Sequence, residues 1–216
     1  MTKFKGILFD LDGTLANTME DHLKAWQAVL KDYGIEINAE DLYPLEGMRL
    51  QEIAEKLFEK KNSNPPDPDE IVRKKDEYYL ENHSFEFYPG VESFIDYLKR
   101  KKILIGMITA GLSERIFNSI PPEFLDKFDA IVTGEHTERG KPFPDPYLKG
   151  TELLGLKPAE CIAVENAPLG IQSAKSAGMY CIAICTTLDL SYLEEADEIV
   201  EKFEDLKKLS VIKQLG

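Results

Sequence analysis

Residues 7–18 read ILFDLDGTLANT. Ile7, Leu8 and Phe9 form an apolar run that ends at Asp10, Leu11, Asp12, Gly13 and Thr14. A short, unbroken apolar run bounded by a turn suits a strand covered on both faces, the kind found in parallel sheets. In an extended chain, residues two apart point to the same side, so Asp10 and Asp12 converge at the carboxyl end of that strand. Ligands bind at that edge in open α/β sheets. Two carboxylates side by side repel, and a cation between them, a shared proton or water would relieve this. A hard divalent cation such as Mg²⁺ does so most directly, because it binds carboxylate and phosphate oxygens together. Gly13 lets the backbone approach an anion, and Thr14 offers a hydroxyl. Asp and Gly are also common in surface turns, but DxDGT directly after an apolar strand is more specific than a turn requires.

Further apolar, β-branched runs at 103–108, 130–133, 161–164 and 180–185 repeat the strand pattern of 5–9. Helical patterns lie between most of them. Val91, Phe94, Ile95 and Leu98 make one stripe, and Pro168 stands at a helix start with Gly178 past its end. Alternating β and α predicts an α/β fold with a Rossmann-like parallel sheet. The interval 17–83 breaks the alternation and reads as helices. Thr18 to Asp21 resembles a capping box, and Leu23, Trp26, Val29, Leu30 and Tyr33 make an apolar face closed by Gly34. A second helix is expected at 49–61 and a third after the loop NSNPPDPD (62–69). A structureless crossover of this length is implausible, so the division is a core of 1–16 plus 88–216 and an inserted helical cap of 17–87.

The chain has 216 residues, 43% of them hydrophobic and 30% charged, with a net charge of −13. That balance argues against nucleic acid and anionic membrane surfaces, which need Lys and Arg clusters. Cys161, Cys181 and Cys185 lie in apolar runs without a CxxC pair, which fits buried thiols in a reducing compartment. The start, MTKFKGILFD, shows neither a signal peptide nor a membrane span. These features describe a cytoplasmic enzyme or binding domain, with a monomer as the default state.

Three more segments bring polar groups to the same sheet edge. Thr109 ends the run ILIGMITAG, with backbone N–H groups following at Ala110 and Gly111. Lys141 sits in GKPFPDPY, a loop stiffened by three prolines. Glu165 and Asn166 follow the run 161–164 and precede a turn into a helix. Each alone has an ordinary alternative: a cap, a solvated lysine, a helix entry. Together they give a set of phosphate- or metal-competent groups converging on one edge.

In these residues the chain resembles the haloacid dehalogenase superfamily of phosphatases and phosphomutases. DLDGT carries its first motif, Thr109 the second, Lys141 in GKPFPDP the third, and Glu165–Asn166 in VENAPLGIQSAKSAGM the fourth. The inserted helices are similar to that family's cap, in the subgroup with β-phosphoglucomutase, whose first cap helix Thr18, His22 and Trp26 match. The resemblance implies that Asp10 attacks phosphorus to form an aspartyl-phosphate. It implies that Asp12 protonates the leaving oxygen and then activates water. Mg²⁺ would be held by Asp10, the Asp12 carbonyl, Glu165 and Asn166, with Thr109 and Lys141 on the phosphoryl oxygens. His22 reads equally as a site contact or as packing beside Trp26.

Two departures bear on substrate. Many relatives carry Asp where Asn166 stands, so one metal-site charge is missing here. Mutase-like relatives usually carry Lys where Glu46 stands in LEGMR, and an anion there repels a bare second phosphate, with Arg49 close enough in sequence to compensate in part. Leu112 also replaces polar residues that the mutase uses after its second motif. The expectation is therefore hydrolysis of a small phosphorylated metabolite, with pyrophosphate second and β-phosphoglucomutase third. Two other classes are weaker. A phospho-Asp signalling domain has no need of a helical roof, and a dinucleotide module would carry GxGxxG in the first turn.

Overall fold

The computed structural model describes residues 4–60 and 62–215. Strand β1 (Gly6–Asp10) lies near the middle of a six-stranded parallel sheet ordered β3-β2-β1-β4-β5-β6. The other strands are β2 (Leu104–Ile108), β3 (Ala130–Val132), β4 (Cys161–Glu165), β5 (Tyr180–Ile184) and β6 (Glu198–Val200). Asp10 pairs in register with Ile108, and Phe9 with Val164, so the β1, β2 and β4 ends align.

Side-chain alternation assigns each sheet face its own core. Ile7, Phe9, Ile105, Met107, Ile162 and Val164 face one side, with Val91, Phe94, Ile95 and Leu98 of a helix there, α5 in chain order (Val91–Arg100). Leu8, Ile108, Ala163 and Cys181 face the other, against Tyr147 of α8 (Asp145–Leu153) and Ile171 of α9 (Pro168–Ser176). Pro168 stands at the first position of α9, where its missing N–H has no intrahelical partner to lose. Cys161 and Cys181 are buried thiols, and Cys185 is partly covered.

Four helices fill the interval after β1: α1 (Met19–Lys31), α2 (Ala39–Leu42), α3 (Leu50–Glu59) and α4 (Pro68–Asn82). They share a third core that includes Trp26, Leu30, Ile53, Leu57, Phe58, Ile71 and Val72. The segments entering and leaving this group run side by side: Asn17 N–H donates to the Glu86 carbonyl, and Tyr88 N–H to that of Leu15. The remaining helices are α6 (Ser113–Ser119), α7 (Pro122–Leu125) and α10 (Ser210–Lys213).

Several expectations need correction. Thr18 precedes α1 but makes no side-chain cap bond, because its hydroxyl is engaged elsewhere. The second helix ends at Glu59 rather than 61, and Lys61 lies outside the described residues, as do the first three residues of the N-terminal stretch. Helix α2, with an Asn38–Asp41 capping box, and edge strand β6 escaped the pattern reading. Both are too short to show a period. Among the described residues, no helix is long and apolar enough to cross a membrane.

Candidate active site

The aligned ends of β1, β2 and β4 open into a small cavity roofed by residues of α1, α3, α4 and the loop before α3. Asp10, Asp12, His22, Glu46, Thr109, Ala110, Gly111, Lys141, Glu165 and Asn166 all line it. Thr18, matched above to the cap helix, does not, and Arg49 lines a smaller cavity beside this one with Thr109, Ala110 and Lys141. Thr18 is fully buried and donates to Asp12 Oδ1 at 2.8 Å. Arg49 stands just before α3 without a side-chain cap bond and donates to the Glu138 carbonyl at 2.7 Å, so it does not compensate Glu46 inside the cavity.

Lys141 is 2% exposed, and its Nζ donates at 2.6 Å to both Asp10 Oδ1 and Glu165 Oε1. Tyr147 Oη also donates to Glu165 Oε1 at 2.6 Å. Burial and its two carboxylate neighbours act oppositely on Lys141, and the carboxylates prevail, raising its pKa. Burial pushes Asp10 up to about 7, against the pull of Lys141 and with a push from Glu165. The second Asp10 oxygen takes no hydrogen bond from the described residues.

Asp12 is held quite differently. Its Oδ1 accepts from Thr18, from His22 Nε2 at 3.0 Å and from Arg115 Nη1 at 3.2 Å. Its Oδ2 accepts from Arg115 Nη2 at 2.6 Å and, at 3.4 Å, from Thr109 Oγ1. Burial would raise the pKa, but the Arg115 guanidinium, followed by His22, holds the carboxyl well below the usual range. His22 Nδ1 lies 3.0 Å from Lys75 Nζ, which can only donate, so the ring is a neutral Nε2–H tautomer. Burial and the Lys75 charge agree, taking His22 down to about 4. The ring also stacks on Tyr79 at 4.3 Å, so it both packs and touches the site.

Gly13 has φ +84°, and a Cβ there would lie 2.2 Å from Asn166 Nδ2. The bare backbone is therefore needed for this approach. Asn166 Oδ1 accepts from Thr14, while Nδ2 donates to Thr187 and to Glu46 Oε2 at 3.1 Å. Glu46 is buried, its Oε1 has no partner, and burial with the nearby Asp10 charge raises its pKa well above normal. Gly111 N–H is not free as expected, since it donates to Thr109 Oγ1 at 3.0 Å.

Sequence reasoning missed Arg115, Lys75 and Tyr147. Lys75 had a signal, since Ile71, Lys75 and Tyr79 stand four apart on the buried face of α4. Arg115 had only its neighbour Ile116 to mark α6 as partly buried.

Fold and site together define an α/β enzyme of Rossmann-like architecture with its polar cluster at the carboxyl edge of the sheet. The chain belongs to the haloacid dehalogenase-like hydrolases, whose family model matches residues 7–184. It is 31% identical over 180 residues to the fructose-1-phosphate phosphatase YqaB of Escherichia coli, covering 82% of this chain and 94% of that protein. It is 30% identical to the pyrophosphatase PpaX of Bacillus cereus, covering 94% and 95%. A solved β-phosphoglucomutase from Clostridium difficile superposes with a TM-score of 0.82 at 25% identity, covering 95% and 96%.

Proposed function

We propose that the chain is a Mg²⁺-dependent phosphohydrolase acting on a small phosphorylated metabolite through an aspartyl-phosphate at Asp10. The observation that carries this reading is Asp10 at the end of a central strand, one oxygen on Lys141 and the other unbonded, inside a cavity shared with Asp12 and Thr109. In the first step the Asp10 carboxylate attacks phosphorus, the bond to the leaving oxygen breaks, and that oxygen takes a proton through Asp12, which is ionised before substrate binds and receives that proton from the substrate's phosphate or from water. In the second, water attacks the phosphoryl group, gives its proton to Asp12, and releases phosphate and free Asp10. Lys141 and Thr109 hold phosphoryl oxygens. Helices α1 to α4 form the cap (17–87) on the core of 1–16 and 88–216 and exclude bulk water.

The donors suit a hard divalent ion in kind, since those facing the cavity beside Asp10 are oxygens and Glu46 Oε1 is an orphaned buried one. Among the described residues no three His, Cys, Asp or Glu form a ready-made cage, so substrate oxygens and water must complete the ligand shell. Asp10, the Asp12 carbonyl, Glu165 and Asn166 would hold the ion. Asn166 contributes its oxygen only if its amide turns from Thr14. When bound, the ion shields the charge of the phosphoryl group during transfer.

Pyrophosphate is a second reading: it is small and normally Mg²⁺-bound, so Glu46, on the cap side and bonded to Asn166, tolerates it better than a sugar bisphosphate. Mutase chemistry ranks third, because the Arg49 guanidinium is bonded to the Glu138 carbonyl and Leu112 packs against the helical core. Purified protein should be assayed with and without Mg²⁺ against pyrophosphate, a panel of sugar phosphates and β-glucose 1-phosphate. Mg²⁺-dependent phosphate release is expected. No release from any compound overturns the phosphohydrolase reading, and efficient glucose 6-phosphate formation replaces it with a mutase.

A further inference from the structure

Arg115 belongs to none of the sequence motifs, yet it is 3% exposed and lines the cavity. We propose that Arg115 is a positioning residue that fixes the carboxylate plane of Asp12 for its acid–base steps. This rests on the reading of Asp12 given above. Thr18 and His22 both bond Oδ1, and a carboxylate held by one oxygen can still turn about its Cβ–Cγ bond. Among the described residues, Oδ2 has only the 3.4 Å contact to Thr109 besides the 2.6 Å bond from Arg115. The guanidinium is thus the group that pins the second oxygen, and its planar fork sets both oxygens at once.

Two further features hold the fork in place. A Cβ at residue 111 would lie 2.0 Å from Arg115 Nη2, so glycine there clears the path from α6 back to Asp12. On its far side the guanidinium lies over Tyr79 of α4, 5.3 Å from the ring centroid, and Tyr79 in turn stacks on His22. Asp12 is thereby gripped from α1 and from α6, with Tyr79 of α4 bracing both grips. Lysine in place of Arg115 could supply charge but not the fork.

The test compares wild type with Arg115→Ala, Arg115→Lys, Gly111→Ala and Asp12→Ala under steady-state conditions. Arg115→Ala is expected to lower kcat about 10- to 100-fold, as loss of an orienting partner does, with KM within about threefold. Added guanidinium ion, below denaturing concentrations, should restore several-fold of the lost kcat, and Arg115→Lys should recover only part. A merely structural arginine gives no such rescue. The proposal is overturned if kcat is unchanged or raised, if the loss sits in KM, or if guanidinium restores nothing. Should Arg115→Ala not fold, Gly111→Ala displaces the fork without removing it, and wild-type kcat in that variant overturns the proposal equally. Failure of the underlying reading looks different: Asp12→Ala would then retain full activity.

Discussion

Asp10→Asn should make the metal-free protein more stable at alkaline pH while abolishing turnover. Folding lifts the Asp10 carboxyl from 3.8 to about 7, through burial first, offset by Lys141 and reinforced by Glu165. A carboxyl whose pKa is raised on folding favours the fold when protonated. Its contribution is complete below the unfolded value and is lost as pH climbs through the folded one. The span between the two values corresponds to at most about 4 kcal/mol, lost between about pH 4 and pH 7. Asparagine is neutral throughout and stays beside Lys141, which keeps its bond to Glu165. The stability of Asp10→Asn relative to wild type should therefore rise with pH and level off near pH 8. Thermal denaturation in chelator at pH 5, 6.5 and 8 reads this directly, with a difference of about 1 kcal/mol visible as a 2–4 °C shift in Tm for a chain this size. A relative stability that is flat with pH, or that falls as pH rises, would refute the electrostatic account of Asp10. Phosphate release by the variant above background would refute its role as nucleophile.

Lys141→Met should cost about 3–5 kcal/mol near neutral pH, because two buried carboxylates lose their shared partner. The cost should shrink toward pH 5 as Asp10 takes up a proton, and denaturant melts at the two pH values measure it. Chelation by EDTA should abolish phosphate release, with Mg²⁺ restoring it; activity that survives exhaustive chelation would remove the metal from the reading. Gly13→Ala places a Cβ 2.2 Å from Asn166 Nδ2 at φ +84°, so it should lower both stability, by about 1–3 kcal/mol, and activity, more than tenfold. Glu46→Gln removes the buried acid that a Mg²⁺-coated pyrophosphate would meet on the cap side, so phosphomonoesters should gain on Mg²⁺-bound pyrophosphate in a competitive assay.

How much of this was legible in the chain depended on how local the cause was. The strands at β1, β2, β4 and β5 could be placed within a residue or two because a buried parallel strand shows itself as an apolar run. Edge strand β6 could not, since its glutamate-flanked Glu198–Val200 carries too little apolar signal. Three of the four motif segments were legible because each joins a strand end to a residue type unusual there, and the remaining one because a proline-rich loop before α8 holds a single lysine. Thr18 was misread because its hydroxyl can serve α1 or Asp12, and tertiary packing chose Asp12. Arg49 was misread because sequence proximity to Glu46 says nothing about which side of the loop a long side chain takes.

The paired acids in DLDGT show why the rest stayed hidden. The sequence offered a cation between them, a shared proton or water as relief from their repulsion. In the fold each acid also has an organic cation of its own: Lys141, 131 residues on from Asp10, and Arg115, 103 residues on from Asp12. The two environments drive the pair apart, one carboxyl raised to about 7 and the other held well below the usual range. The reaction assigned above needs the opposite order, Asp10 ionised and Asp12 able to give a proton, so this split belongs to the protein before substrate binds, and bound substrate must reverse it. No local pattern encodes that division, because it is made by which loop of the sheet edge reaches each acid.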